Sequence, residues 1–433
     1  MKNRILVGSA IGALIGVAVV AATVGGAFAH RTGATPLPAA SCSPIQNPSG
    51  NLLVSSDLPL QGANRTQSIQ MGKAIGFVFA QAGWKAGKYT LAYQACDDST
   101  AQAGTWDSGK CSANANSYAQ NSSLVANIGT FNSGCAEIEV PILNRAPNGP
   151  VAMVSPANTY VGLTHTGPGT QPGEPGKYYP TNKRNYARVV AADDFQGAAD
   201  ATLTKELGFK SIYILNDKQA YGLGVATNLK NALTKLGIKI AGFQAWDGKA
   251  TSYEALAVKI KQSGAKAVFL GGLICENGGK LIKDIKAGVP GVQILLPDGF
   301  TPASAVVQNA GSAAEGATLS IAGLPDSQLP PGGQAFAQAF SKTIGGKQPE
   351  PYAVYAAQAA QVVLQAITSS DGTRASINDQ VFKTHIKNGI LGNVSFNANG
   401  DVTSNPVTIY KIKGGQATTY KVIVPANSLV AAA

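Results

Sequence analysis

Residues 125–164 read VANIGTFNSGCAEIEVPILNRAPNGPVAMVSPANTYVGLT, and the fold class follows from how this stretch divides. VANIGTF is a short apolar run that stops at Asn132-Ser133-Gly134, small polar residues suited to opening a helix near Ala136. A second apolar run, VAMV, stops at Ser155-Pro156-Ala157-Asn158-Thr159. Two buried strands about one helix apart, each finishing in a polar turn, describe a βαβ unit whose carboxyl-end loops lie side by side. Hydroxyls and unpaired backbone N–H groups in such loops suit a small ligand carrying a carboxylate. Taken alone, the same residues also fit two ordinary strand-to-helix turns.

The same alternation runs through most of the chain. Strands are expected at 51–56 and 89–95 before this stretch, with helices at 68–82 and 107–120. From Arg188 onward, strand-then-helix steps recur at 188–207, 211–236, 238–263 and 267–286, and a last strand ends at Pro297-Asp298-Gly299-Phe300. Hairpin signals are missing between these strands, so the class is α/β with parallel sheets. Residues 167–185, rich in Pro and Gly, read as a surface excursion. Helices are expected at 334–344 and 352–368. Residues 394–425 alternate like antiparallel strands around Asn399-Gly400 and Gly414-Gly415, a hairpin joining one sheet's edge.

With 433 residues, 45% of them apolar and 13% charged, the chain is a folded protein long enough for two lobes. Lys2 and Arg4, an apolar run from Ile5 and the small-x-small triplet Ala27-Phe28-Ala29 make residues 1–29 an export signal, with a mature start near His30. A retained membrane anchor is the alternative, because about 20 apolar residues can span a bilayer. Residues 30–50, with four prolines, read as a semi-rigid tether. Five cysteines in an exported chain favour at least one disulfide among Cys96, Cys111 and Cys135, with Cys96–Cys111 and Cys96–Cys135 both open. Cys42 is a poor lipid acceptor, lying well beyond the apolar core.

The formal charge of +11 is carried by lysines spaced as solvated helix faces, without an arginine or aromatic platform, which argues against nucleic acid. The three histidines, His30, His165 and His385, stand isolated, so neither a metal cluster nor a histidine base is expected. No cofactor fingerprint is present: the glycines of GPGTQPGEPG do not follow a strand. Asp97-Asp98 and Asp193-Asp194 read as helix-start caps.

In order along the chain, IGTFNSGCAE, VSPANTYVGLT, ARVVAADDFQGAAD, NDKQAYGLG, FLGGLICENGG and LLPDGFT resemble the type I periplasmic binding proteins, in the branched-chain amino acid branch that serves ABC importers. The resemblance covers residues 51–424. It implies two Rossmann-like lobes joined by three crossovers, with the ligand between them. Crossovers near Ala192, Ala322 and Asn393 would make lobe one 50–192 plus 323–393 and lobe two 193–322 plus 394–425. It further implies that Ser133 and Gly134 hold a ligand carboxylate together with Asn158 and Thr159, that Tyr221 closes over the ligand, and that Asp298 takes its ammonium. Arg65 stands where an aromatic residue is common, and Leu273-Ile274 replace an aromatic pair, so the side-chain pocket is expected to depart from the family pattern, with an extra cation facing it. The expected function is a non-enzymatic, monomeric, cofactor-free receptor for an amino acid or similar small carboxylate, delivering it to an ABC permease. A ligand-sensing module without transport is the alternative.

Overall fold

The computed structural model of the chain describes residues 33–430, so the export segment expected at 1–29 lies outside the described residues. None of the described helices is long and apolar enough to cross a membrane. Two sheets organise the molecule. The first is built from β1 (Leu52–Leu58), α1 (Arg65–Gln81), β2 (Lys85–Ala86), β3 (Tyr89–Asp97), the ribbon β4 (Ser99–Thr100) and β5 (Thr105–Trp106), α2 (Ser108–Gln120), β6 (Leu124–Gly129), α3 (Ser133–Asn144), β7 (Ala152–Ser155) and β8 (Tyr186–Arg188). Its strand order is β2-β3-β1-β6-β7-β8, parallel except at the β2 edge. Because both faces are covered, β1 and β6 are buried almost end to end, and their central polar groups pair internally. Ser55 Oγ donates to Asn127 Oδ1 at 2.9 Å, and Ser56 Oγ lies 2.7 Å from the Tyr93 hydroxyl.

The chain then passes to the second sheet through α4 (Asp193–Glu206), β9 (Ser211–Asn216), α5 (Ala220–Lys235), β10 (Lys239–Ala245), α6 (Glu254–Ser263), β11 (Ala267–Gly271), α7 (Gly278–Gly288), β12 (Gln293–Leu296), α8 (Ala303–Ala310) and β13 (Thr318–Ala322). It returns to the first sheet as α9 (Pro331–Ser341), α10 (Pro351–Thr368) and α11 (Arg374–Phe382). A small hairpin follows, β14 (His385–Gly389) and β15 (Gly392–Ser395), and then β16 (Val407–Lys413) and β17 (Gln416–Ile423). The second sheet runs β10-β9-β11-β12-β13-β16-β17. Its last two strands are antiparallel, as the sequence pattern predicts, and turn at Gly414 and Gly415 with φ of 59° and 74°. Left-handed φ at both central residues suits a two-residue hairpin turn, and glycine adopts it without a Cβ clash.

Several expectations need correction. The described part of the tether, residues 33–50, is folded: Leu37 and Cys42 are buried, Ser43 and Gln46 donate backbone hydrogen bonds to β3, and Cys42 is disulfide-bonded to Cys96. The second bridge is Cys111–Cys135, which leaves Cys275 free. One bridge does fall within the expected trio, but neither pairing weighed for Cys96 forms. Asp97-Asp98 leads into the β4–β5 ribbon and caps no helix. Asp193 does open α4 behind Ala192, which makes no side-chain cap, and of the pair it is Asp194 whose Oδ1 accepts from an opening amide, the Phe195 N–H, at 2.9 Å. The surface excursion at 167–185 buries Glu174, Tyr178 and Tyr179, with the Tyr178 hydroxyl donating to Glu174 Oε1 at 2.6 Å. Residues 394–396 do not join the terminal sheet, since β15 pairs with β14 instead.

His165 is not isolated either. It lies where the chain changes sheets, with Nδ1 3.1 Å from Asp401 Oδ2 and Nε2 3.4 Å from Asp194 Oδ2. Arg188, fully buried at the end of β8, donates from Nε to Asp401 Oδ1 at 2.7 Å and from Nη1 to the Tyr160 carbonyl at 2.9 Å. Burial alone would lower the His165 pKa, but its hydrogen bonds to the two carboxylates outweigh that and raise it from 6.5 to about 9. A raised folded-state pKa stabilises fully below the unfolded value and is lost as pH climbs through the folded one. The linked free energy is about 3 kcal/mol. Thermal unfolding of wild type and His165→Gln should therefore differ most below pH 6.5 and converge as pH rises through about 9. A difference independent of pH would show that the imidazole is uncharged in the folded protein.

Candidate ligand site between the lobes

The carboxyl ends of the two parallel sheets face one another across a narrow cavity whose free volume of about 20 Å³ has room for about one water. On the first lobe, β6 ends in a turn that opens α3, so Ser133 and Gly134 sit at a helix N-terminus and line the cavity. Asn132 makes no side-chain cap there. The opening amides of a helix have no intrahelical acceptor and lie at the positive end of its dipole, so they favour an anion. Thr159, in the turn after β7, lines the same wall.

Asn158 is buried behind it, with Nδ2 donating to the Phe131 carbonyl at 3.0 Å and Oδ1 accepting from the Tyr186 hydroxyl at 3.3 Å. Its amide thus ties the two turns together and does not line the cavity. Arg65 lies outside the lining too, exposed at the start of α1.

The facing wall belongs to the second lobe. β12 ends at Leu296, and the turn that follows Pro297 places Asp298 at the cavity with only 5% of its surface exposed. Its Oδ1 accepts from the Tyr221 hydroxyl and its Oδ2 from the Tyr352 hydroxyl, both at 2.5 Å. Tyr221 comes from α5 and Tyr352 from α10, so the carboxylate is oriented from both lobes. Burial raises the Asp298 pKa, and the two phenols oppose the rise by favouring the ionised form. The lobes also meet where Asn64 Nδ2 donates to the Thr301 carbonyl at 2.8 Å and Gln67 Nε2 to Thr301 Oγ1 at 3.1 Å. The remaining walls are mainly apolar: Trp106 and Phe131 from lobe one and Leu273 from lobe two. Phe131 stands edge-on to Tyr352, ring centroids 5.7 Å apart.

Of the sequence-derived residues, Ser133, Gly134, Thr159, Tyr221 and Asp298 come together at one cavity. Trp106, Phe131, Gln219 and Tyr352 were not read from the sequence. Phe131 was within reach, since it directly precedes the Asn132-Ser133-Gly134 turn. Tyr352 was not, because it lies 54 residues from Asp298 on a helix of the other lobe.

The periplasmic binding protein profile matches residues 60–417. The chain belongs to that family, with the two-lobed solute-receptor fold described above. Among similar chains, a Leu/Ile/Val-binding protein homolog of Brucella abortus is 27% identical over 301 residues, which cover 68% of this chain and 73% of that one. A leucine-, isoleucine-, valine-, threonine- and alanine-binding protein of Pseudomonas aeruginosa is 28% identical over 229 residues, 52% of this chain and 59% of that one. A leucine-binding protein of Thermotoga maritima superposes with a TM-score of 0.73 at 22% identity, covering 86% of this chain and 99% of the other. A solute-binding protein of R. palustris solved with benzoate gives 0.71 at 18% identity, covering 89% and 98%.

Proposed function

We propose that the chain is the extracytoplasmic receptor of an ABC importer, enclosing one small zwitterion, an amino acid, between its lobes and presenting it to a membrane permease. The observation that carries the amino-acid reading is the pairing across one cavity of an uncapped helix N-terminus with a buried carboxylate. Ser133, Gly134 and Thr159 supply donors for the ligand carboxylate, while Asp298, steered by Tyr221 and Tyr352, takes the ammonium. Asn158 holds the donor turns in register. Arg65, out in solvent, leaves the anion to those donors. The names of the relatives, a homolog of a Leu/Ile/Val-binding protein and a leucine-, isoleucine-, valine-, threonine- and alanine-binding protein, support the same class. The lobes turn about crossovers near Ala192, Ala322 and Asn393, and the receptor works as an exported monomer, as a binder and not an enzyme. Calorimetric titration of the whole chain with leucine, valine and their deaminated analogues tests this. One amino acid bound per chain is expected, with each deaminated analogue weaker. Equal binding of leucine and 4-methylpentanoate would reject the zwitterion.

A further inference from the structure

The ribbon β4–β5 lies between β3 and α2, and its one large side chain, Trp106, lines the cavity. Both of its roots are pinned. Asp97 Oδ1 accepts from the backbone N–H of Leu60 at 3.0 Å and of Ser99 at 2.9 Å, and Oδ2 accepts from Gln61 Nε2 at 2.8 Å. On the other side, Asp107 caps α2 by accepting from the Lys110 N–H at 3.0 Å. Trp106 is therefore carried on a braced support attached to lobe one.

Its ring lies directly over Gly134. A Cβ at that position would fall 2.5 Å from Cζ2 and 2.7 Å from Cη2 of the indole. Gly134 is not among the glycines with left-handed φ, so the space taken by the ring, not the backbone conformation, is what requires a residue without a side chain here. Trp106 also packs against the apolar cluster of lobe two that contains Tyr221 and Leu273. The indole is thus held between the N-terminus of α3 and the opposite wall. Any ligand anchored at the Ser133 and Gly134 amides shares its space with this ring.

We infer that Trp106, seated on Gly134, determines specificity by limiting the length of ligand side chain the cavity accepts, selecting short aliphatic amino acids over aromatic ones. This rests on the amino-acid reading above. A rigid wall discriminates by exclusion, since a side chain that overruns it must displace packed atoms.

Affinities for alanine, valine, leucine and phenylalanine, measured by calorimetry on wild type, Trp106→Ala and Trp106→Phe, test the inference. Wild type should favour valine or leucine over phenylalanine. Trp106→Ala should raise the phenylalanine-to-valine affinity ratio about tenfold or more, the scale on which pocket size discriminates. Trp106→Phe, which keeps an aromatic ring against Gly134, should shift the ratio in the same direction by less, and serves if the alanine variant fails to fold. Gly134→Ala should act oppositely, pushing the ring inward and weakening leucine more than alanine. A ratio unchanged in the Trp106 variants, with all affinities falling together, would make Trp106 a structural residue only. A wild type that binds no member of the series would overturn the amino-acid reading, and this inference with it.

Discussion

Asp298→Asn should weaken amino-acid binding by roughly one to four decades while leaving a deaminated analogue nearly unaffected. The substitution keeps the shape of the side chain: one of the Tyr221 and Tyr352 hydroxyls still donates to the carbonyl oxygen, and the other turns to accept from the new amide. What it removes is the negative charge, from a position 5% exposed and braced from both lobes. Removing one side of a buried, hydrogen-bonded charge pair costs about 2–5 kcal/mol, and about 1.4 kcal/mol is a decade of affinity. In the proposed binding mode the carboxylate end of the ligand rests on α3 in lobe one, so its contribution stays. Calorimetry with leucine and 4-methylpentanoate on wild type and variant separates the two ends. Equal losses for both ligands would mean that Asp298 shapes the wall without meeting an ammonium.

Removing the Cys42–Cys96 bridge, as Cys42→Ser with Cys96→Ser, should cost about 2–5 kcal/mol of stability and release the segment before β1. The bridge spans 54 residues, for which the chain-entropy relation gives about 4 kcal/mol. The bridge is backed by packing: Leu37 is 4% exposed, its N–H donates to Gln94 Oε1 at 2.6 Å, and the Ser43 and Gln46 N–H groups donate to β3 carbonyls at 2.8 Å. Urea unfolding and limited proteolysis should show a lower midpoint and new cleavage within 33–50. An unchanged midpoint with that segment still resistant would mean that these hydrogen bonds hold it without the bridge.

How much of this was legible in the sequence depended on how local the deciding interaction is. Residues 125–164 were read well because strand, turn and helix follow each other directly, and each apolar run ends in its own polar turn. The Gly414-Gly415 hairpin was legible for the same reason. The tether was misread because four prolines within twenty residues describe backbone stiffness and say nothing of a partner strand, and β3 lies more than forty residues on. α11 went unread because its packing is not amphipathic. Its first residue, Arg374, is buried and donates to the carbonyls of Leu124 and Ala119 at 2.8 Å and of Pro147 at 2.9 Å. The ribbon carrying Trp106 has two residues per strand, too few for alternation to show. At the site, the donor turns on lobe one could be read locally, whereas the orientation of Asp298 by Tyr352 is a meeting of two lobes.

In the proposed function one ligand bridges the N-terminus of α3 and the Asp298 turn. Hydrogen exchange of the backbone amides, followed with and without saturating leucine, tests it most directly. The amides of residues 133–135 and of 298–300 should gain protection together and at the same leucine concentration. Protection confined to one wall, or none at a concentration where leucine is bound, would contradict the account.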